Sequence, residues 1–326
     1  MAILLFLLSA LMSVLASIKL SSYADVLSER SKWGTAFIGA FLLAGATTLP
    51  EVTTSWVALS VDNREIAAGN MFGSNGFNLL ILAIAHIIFT RHRLLEQSFL
   101  FVRGPFIMSF SVTLLLWIDT QVDSIWDERL YIGWSSIAAV IFFFIYFLYQ
   151  HFQKKHPLAD NENDESFHTR AISVRKAKYG FFISTVLILI FGSTLALSGD
   201  YIAKTTTISS SFIGTVAIAC ATSLPEAVSV YVALGLKNVR LAIAMLFGSN
   251  IMNLFLFIAL DVSDLNGPLL SSVEHGQYIT LLMLLAFHVI IFLNANRDPK
   301  GKALSIGSAL IMIALYLSMN YLLFVS

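Results

Sequence analysis

The stretch GATTLPEVTTSWVALSVDNREIAAGNMFGSNGFN, residues 45–78, returns 175 positions later as CATSLPEAVSVYVALGLKNVRLAIAMLFGSNIMN, residues 220–253. Aligned without a gap over 45–79 and 220–254, the two copies are identical at 16 of 35 positions. Each copy places a glutamate directly after a proline in an apolar stretch, at Glu51 and at Glu226. A carboxylate inside a bilayer costs about 3 kcal/mol or more, so one that is retained usually faces a partner, a cavity or an ion. The repeat therefore predicts one intramembrane site that is built twice.

The composition of the chain is that of an integral membrane protein. Of its 326 residues, 57% are hydrophobic and 12% are charged, whereas a soluble domain carries about 25% charged residues. A helix needs roughly 20 residues to cross a bilayer. Apolar stretches of about this length lie at 3–18, 33–60, 65–89, 104–118, 130–151, 179–198, 208–235, 240–260, 276–294 and 303–325. The sequence predicts an all-α integral membrane protein with ten transmembrane helices.

Lysine and arginine are distributed unequally between the connecting segments. If the ten spans alternate, 17 of the 20 basic residues fall on one side of the membrane. They lie in the segments 19–32, 90–103, 152–178, 236–240 and 295–302. Since lysine and arginine are enriched in cytoplasmic loops, this side is predicted to be cytoplasmic and both termini non-cytoplasmic. The expected location is the plasma (inner) membrane.

The duplication also predicts how the two halves are arranged. Five spans separate equivalent points of the two copies, and because five is odd, the second copy enters the membrane from the opposite side. Such inverted-topology repeats are typical of secondary transporters, with substrate bound near the midplane where the halves meet. We expect a first five-helix repeat at 1–151, a cytoplasmic linker at 152–178 and a second five-helix repeat at 179–326.

Oxygen atoms dominate the polar groups around the two glutamates. Pro50 and Pro225 each remove a backbone donor and are expected to kink or break their helices, which frees carbonyl oxygens. Hydroxyl and amide groups lie within one turn of each glutamate or on the following helix, at Thr47, Thr48, Ser74, Asn78, Thr222, Ser223, Ser249 and Asn253. Ca²⁺ takes about 6 to 8 ligands of this kind, carboxylates and carbonyl oxygens among them. The pattern favours a cation site whose two carboxylates neutralise one divalent or two monovalent ions.

The paired segments resemble the two alpha repeats of the sodium/calcium exchangers, within the cation/calcium antiporter superfamily. TTLPE and TSLPE are each followed by GSN and then by an asparagine three positions on, which places the alpha-1 motif at 44–80 and the alpha-2 motif at 219–255. The resemblance implies that Glu51 and Glu226 bind Ca²⁺ and Na⁺ alternately. It further implies contacts to the ions from six hydroxyl side chains, those of Thr47, Thr48, Ser74, Thr222, Ser223 and Ser249. Backbone carbonyls of Thr47 and Thr222 would join the Ca²⁺ site and those of Ala44 and Ala219 the Na⁺ sites, and Asn78 matches the family's central asparagine.

The function implied by this resemblance is a secondary active antiporter that exchanges Ca²⁺ for Na⁺ by alternating access. One departure leaves H⁺ open as the counter-ion, because Asn253 stands where many members of the family carry an aspartate. A cation channel is less expected, since it usually needs rings of acidic residues or filter carbonyls around a pore. An enzyme is not expected. The predicted partners are Ca²⁺, Na⁺ and the lipid bilayer, without nucleic acid and without a cofactor.

Overall fold

The computed structural model describes residues 2–30, 35–89, 94, 102–121, 132–153, 172–235, 239–264, 266–272, 275–295 and 302–325. Within these ranges the chain is helical and contains no strand. The helices are α1 (Ala2–Arg30), α2 (Thr35–Ser60), α3 (Arg64–Ile88), α4 (Arg103–Asp119), α5 (Trp134–Gln153), α6 (Val174–Thr205), α7 (Ser210–Thr222), α8 (Leu224–Gly235), α9 (Val239–Ser263), α10 (His275–Ala295) and α11 (Lys302–Val325). The prediction of an all-α fold is confirmed for this part of the chain.

The lengths of these helices fit a protein that crosses the membrane several times. Six of the described helices are long and apolar enough to span a bilayer, at Ala2–Ala24, Arg64–Ile88, Val174–Thr205, Ala242–Ser263, Gly276–Asn294 and Ser305–Val325. The consecutive helices α7 and α8, which meet at an angle of 43°, are together long enough for a seventh span. The chain is therefore a multi-pass integral membrane protein, and the count of ten spans stays a prediction.

The molecule carries large apolar side chains on its outside and many of its polar ones inside. Phe144, Phe182 and Tyr321 expose 62%, 68% and 68% of their surface, whereas Glu51 and Asn70 are buried. In water this distribution would leave a large apolar surface uncovered, but lipid solvates such a surface while it cannot solvate polar groups. The buried polar groups consequently collect along the centre of the helix bundle.

The helix boundaries repeat with the same spacing of 175 residues as the sequence. Helix α2 begins at Thr35 and ends at Ser60, and its equivalent begins at Ser210 and ends at Gly235. The boundaries of α3 and α9 are related in the same way at both ends. The duplication visible in the sequence around the two glutamates therefore extends to the full lengths of these helices.

The two prolines have different effects on their helices. Helix α2 continues without interruption through Pro50, so of the predicted kink or break, a break is absent there. In the second copy, a π-helical stretch at Ile213–Ile218 precedes Ser223, whose backbone leaves the helical conformation at φ −90° and ψ 3°. A proline removes one backbone hydrogen bond, and the rest of the ladder can keep the helix continuous. The break before Pro225 therefore depends on the surrounding helix as well as on the proline.

Helices α3 and α9, which carry the two GSN sequences, lie at the centre of the fold. Helix α3 contacts α2, α7, α9, α10 and α11, while α9 also contacts α2, α4 and α8. Helix α1 packs along α6, and both of these helices contact α2. Phe72 of α3 stacks against Phe257 of α9 with ring centroids 4.7 Å apart, within a continuous apolar core. The repeated motifs therefore meet at the middle of the molecule.

Candidate cation site

Two pairs of asparagine side chains connect α3 to α9. Asn78 Nδ2 donates to Asn250 Oδ1 at 2.9 Å, and Asn253 Nδ2 donates to Asn75 Oδ1 at 3.1 Å. The two hydrogen bonds are equivalent under the 175-residue repeat. The higher-numbered asparagine of α3, Asn78, pairs with the lower-numbered one of α9, Asn250, and Asn75 pairs with Asn253. The two helices therefore run in opposite directions where they cross. A local two-fold relation between the copies follows from this pairing.

Glu51 and Glu226 are both buried. Their side chains are 1% and 3% exposed, and their carboxyl groups are near enough to interact electrostatically. Ser223, at the break between α7 and α8, donates its hydroxyl to Glu51 Oε1 at 3.2 Å. This hydrogen bond connects the two copies, because Glu51 belongs to the first and Ser223 to the second. The structure thus brings the two predicted carboxylates together.

Five buried oxygen atoms in this region have no hydrogen-bond partner among the described residues. They are Glu51 Oε2, Ser74 Oγ, Asn78 Oδ1, Glu226 Oε2 and Asn253 Oδ1. Two amide nitrogens of the same asparagine pairs, Asn75 Nδ2 and Asn250 Nδ2, are also without a partner. A buried polar atom left unpaired costs about 1–3 kcal/mol, so a cation coordinated by these five oxygens would stabilise them. Two carboxylates, two amide oxygens and a hydroxyl are the kinds of ligand that Ca²⁺ takes.

The donor set of this cluster is short of acidic groups. No group of three or more His, Cys, Asp or Glu side chains in the described ranges is arranged to hold a metal ion. The amide nitrogens of Asn78 and Asn253 are used in the pairs between α3 and α9, which leaves their oxygens to the site. The site therefore combines two negative charges with neutral oxygen atoms.

The remaining predicted side-chain ligands are placed unequally in the two copies. Thr47 and Thr48 are buried at 6% and 3% exposure, and Ser74 is fully buried. Ser249, the equivalent of Ser74, is only partly buried. Ala44 lies within α2, and its side chain is outside the described part. The role of each of these residues as an ion ligand stays a prediction.

Ala219, Thr222 and Ser223 lie together at the end of α7. Thr222 Oγ1 donates to Asn70 Oδ1 at 3.2 Å and is 3.3 Å from the carbonyl oxygen of Ala219. The same carbonyl oxygen accepts the backbone N–H of Ser223 at 3.0 Å. In this structure the Ala219 carbonyl, predicted to contact Na⁺, is therefore engaged within its own helix. An ion ligand at this position would need the end of α7 to rearrange.

Asn70 is the site residue that sequence reasoning missed. Its side chain is fully buried, and Nδ2 lies 3.2 Å from the carbonyl oxygen of Glu51, 2.7 Å from Thr54 Oγ1 and 2.8 Å from Ser55 Oγ. Through its Oδ1 it also accepts the hydroxyl of Thr222. Asn70 therefore joins α2, α3 and α7 directly behind the first carboxylate. The sequence offered one signal for this role: Asn70 is a polar residue in an apolar helix, and the equivalent position of the second copy is a methionine.

The surroundings of the two GSN sequences differ in how closely they are packed. A Cβ atom on Gly73 would lie 2.1 Å from the carbonyl oxygen of Thr215 in α7. One on Gly214 would lie 2.8 Å from Cα of Ile66. Gly248, the equivalent of Gly73, is exposed and has no atom within 4 Å of such a Cβ among the described residues. The site is consequently sealed along α3 and open along α9.

A polar network strengthens the sealed side at the beginning of α3. The carboxylate of Glu65 accepts the hydroxyl of Ser211 and, at 3.2 Å, the Nε2 amide of Gln277. Gln277 Nε2 also lies 3.4 Å from Thr215 Oγ1. These contacts tie α3 to α7 and α10 and were not predicted from the sequence, because they join positions up to 212 residues apart.

The helical bundle and its buried carboxylate pair are features of membrane proteins that transport cations. The profile described as "Sodium/calcium exchanger protein" matches residues 1–154 and 176–325, so the match includes both copies of the repeat. The chain belongs to the sodium/calcium exchanger family, a family of membrane cation/calcium antiporters. The resemblance predicted from the paired motifs is confirmed.

Solved structures with the same fold include exchangers with different counter-ions. Native YfkE aligns with a TM-score of 0.67 at 16% identity, over 98% of this chain and 92% of its own. The H⁺/Ca²⁺ exchanger CAX aligns with a TM-score of 0.64 at 14% identity, over 99% of this chain and 88% of its own. The sodium-calcium exchanger NCX_Mj aligns with a TM-score of 0.57 at 20% identity, over 97% of this chain and 96% of its own. At these identities the likeness shows the fold. A comparison with curated protein sequences gives no match.

Proposed function

We propose that this protein is a secondary active antiporter that exchanges Ca²⁺ for Na⁺ by alternating access, with Glu51 and Glu226 as the shared ligands. The observation that carries the proposal is the set of five unpartnered buried oxygens, two of which belong to the carboxylates of Glu51 and Glu226. A permanent hydrogen-bond network would satisfy these atoms with protein donors. Their lack of protein partners suits a site whose ligand arrives and leaves.

Charge balance explains how two different ions can be exchanged at one site. Two carboxylates are neutralised by one Ca²⁺ or by two Na⁺, and both ions compete for the same oxygens. With neither bound, two adjacent negative charges remain in a membrane interior, where unpaired charge is costly. The carrier should therefore change sides more readily when loaded. The further ligands we propose are the side chains of Thr47, Thr48, Ser74, Asn78, Thr222, Ser223, Ser249 and Asn253, and the backbone of Thr47, Thr222, Ala44 and Ala219.

The architecture that we propose has ten spans in two inverted five-helix repeats, 1–151 and 179–326. The shared helix boundaries of the two copies and the opposite directions of α3 and α9 at their crossing support it. The linker, 152–178, is proposed to be cytoplasmic in the plasma (inner) membrane, with both termini non-cytoplasmic. Residues 154–171 of this linker lie outside the described ranges.

This orientation gives the asymmetry of the site a meaning in transport. Gly73 lies in the half of α3 that follows a non-cytoplasmic connection, and Gly248 lies in the half of α9 that follows a cytoplasmic one. The sealed side would then face outward, and the open side would face the cytoplasm. To release an ion outward, α7 must separate from α3 while the equivalent contact closes at Gly248.

A specific observation favours H⁺ as a second candidate for the counter-ion. Asn253 is neutral and its amide nitrogen is held by Asn75 at 3.1 Å, so the position cannot supply a third carboxylate. Two protons bound to Glu51 and Glu226 would neutralise the site as completely as two Na⁺. CAX, which shares the fold, is described as an H⁺/Ca²⁺ exchanger.

Transport in proteoliposomes distinguishes these candidates. Vesicles loaded with Na⁺ at constant pH should take up radioactive Ca²⁺ when diluted into Na⁺-free buffer, and vesicles carrying the Glu226→Gln variant should not. The same vesicles are then given a proton gradient without Na⁺. Uptake driven by the proton gradient alone would overturn Na⁺ coupling and establish the second candidate. A steady Ca²⁺ conductance that needs neither gradient would refute exchange altogether.

A further inference from the structure

A groove between α4 and α10 opens on the outer surface of the bundle. Its volume is about 370 Å³, and aromatic and aliphatic side chains form most of its lining. Ile107, Val289 and Phe292 on its rim are 46%, 47% and 44% exposed. Arg103, an exposed side chain at the first position of α4, lies at one end of the groove. Among the described residues that line it, the groove thus combines apolar side chains with the positively charged side chain of Arg103.

Among the described residues at the base of the groove, no polar side chain needs a ligand. His288 lies there, and both of its ring nitrogens are engaged, Nδ1 with the carbonyl oxygen of Leu284 at 2.7 Å and Nε2 with Ser109 Oγ at 3.0 Å. The remaining contacts inside the groove are to phenylalanine and aliphatic side chains. An occupant of the deeper part must therefore be apolar.

Position in the membrane determines which apolar molecule can reach the groove. Arg103 ends the basic segment 90–103, which the distribution of positive charge assigns to the cytoplasm. From Arg103 to Phe110 the groove follows α4 for about 10 Å, which is most of the hydrocarbon thickness of roughly 15 Å in one leaflet. An acyl chain can lie along this length with its headgroup at the membrane surface. Basic pockets between helices on the cytoplasmic side are typical binding sites for anionic lipid headgroups.

We propose that this groove binds one anionic phospholipid of the cytoplasmic leaflet, with an acyl chain between α4 and α10 and the phosphate at Arg103. The inference goes beyond the exchange activity and depends only on the membrane orientation. Charge complementarity at Arg103 selects an anionic over a zwitterionic headgroup. The apolar lining selects a lipid over free phosphate, which has no group to fill the groove.

The bound phospholipid would be separated from the second GSN sequence by the side chains of Phe106 and Phe247. The ring of Phe106, in the wall of the groove, packs against His288 and Phe247 with centroids 5.3 Å and 5.7 Å away. Phe247 is fully buried and directly precedes Gly248 and Ser249 of the second GSN. A bound acyl chain would therefore support the packing behind the open side of the site.

Native mass spectrometry of the purified full-length protein tests the proposal without measuring transport. The protein is titrated with phosphatidylglycerol and, separately, with phosphatidylcholine of the same acyl chains. We expect one phosphatidylglycerol to bind more tightly than the others and more tightly than phosphatidylcholine. Removing one basic contact near the membrane surface costs about 1 kcal/mol, so Arg103→Gln should weaken this adduct about fivefold. Lys178→Gln, at an exposed basic position on α6, is the matched control and should leave it unchanged.

A second variant tests the groove itself. Ile107→Trp keeps Arg103 but places an indole in the opening, so the tight phosphatidylglycerol adduct should be lost while the thermal unfolding temperature is retained. Equal binding of the two lipids, or equal loss in Arg103→Gln and Lys178→Gln, would overturn the proposal. So would a wild-type dimer that dissociates in Ile107→Trp, because the groove would then be a contact between two copies of the chain.

Discussion

The contact between α3 and α7 can be opened by one methyl group at Gly73. In Gly73→Ala the new Cβ would lie 2.1 Å from the carbonyl oxygen of Thr215 and 2.6 Å from its Cα. Ordinary van der Waals contact begins near 3.4 Å, so the two backbones must separate by roughly 1 Å or more, and no side-chain rotation can relieve the contact. The substitution therefore acts on the sealed side of the site.

Two effects of opposite sign determine the free-energy cost of Gly73→Ala. Overpacking of this kind costs about 1–3 kcal/mol, and a backbone contact at 2.1 Å places Gly73→Ala near the upper end of that range. Replacing glycine by alanine within a helix returns up to about 1 kcal/mol. The net cost of roughly 1–2 kcal/mol applies only while α7 is closed on α3, so it shifts the ratio of the closed to the opened state about 5- to 30-fold.

Gly248→Ala is the matched control because the two positions are equivalent in the repeat. Its Cβ would meet no described atom within 4 Å, so the closed state loses nothing and gains the preference of alanine for helix. Denaturant unfolding of the purified protein should show Gly73→Ala about 1–2 kcal/mol less stable than wild type. Gly248→Ala should be unchanged or more stable by up to about 1 kcal/mol.

Thiol labelling follows the population of the two states. Ala244 is exposed one turn before Gly248, so Ala244→Cys in a Cys220→Ser background should react with a charged reagent from the cytoplasmic side. Adding Gly73→Ala should slow this labelling. Adding Gly248→Ala to the same background should not slow the labelling of the conformation in which α7 is closed on α3. If Gly73→Ala has the stability and labelling rate of Gly248→Ala, the assignment of α3 and α7 as the sealed side is wrong.

Three further variants test separate parts of the account. Asn70→Met copies the residue of the second repeat and removes the hydrogen bonds that join α3 to Thr222 and to the groups on α2. It should cost about 2–3 kcal/mol in denaturant unfolding and raise the KM for Ca²⁺, whereas an unchanged KM would exclude a role for Asn70 in positioning the site. Arg64→Gln removes the ion pair with buried Asp264, 2.6 Å from Nε to Oδ2. It should destabilise the protein by about 1–3 kcal/mol without changing the Ca²⁺ Kd, and a weakened Kd would contradict this. Asn253→Asp adds a third carboxylate and should strengthen the dependence of Ca²⁺ uptake on a Na⁺ gradient. Uptake with the wild-type ion dependence would show that position 253 does not select the counter-ion.

The sequence predicted those features that depend on composition and on the repeat. The apolar stretches indicated a helical membrane protein, and the duplicated proline–glutamate pairs indicated that Glu51 and Glu226 share a site. The structure places both carboxylates in one buried region, where a hydrogen bond from Ser223 to Glu51 connects the copies. The prediction of a helical membrane protein is confirmed for the described residues, and the shared site stays a prediction that this placement supports, because a charge in a lipid environment leaves few arrangements available to the chain.

The features that were not predicted depend on the way in which the two copies differ. Identical LPE sequences gave a continuous helix at Pro50 and a break before Pro225, because the π-helical segment and tight packing against α3 occur in only one of them. The network of Asn70 and the contact at Gly73 likewise depend on α7 lying against α3. A repeat describes what the halves share, whereas an exchanger at any moment must hold them in different conformations.

Equilibrium binding of radioactive Ca²⁺ to the purified protein measures whether Glu51 and Glu226 form one Ca²⁺ site. We expect one high-affinity Ca²⁺ per chain in the wild type, displaced by the counter-ion. Glu51→Gln and Glu226→Gln keep the shape of each side chain but remove half of the site's charge, so each variant alone should abolish binding at the same concentrations. Full binding by either variant that folds as the wild type does would contradict a single site shared by the two glutamates.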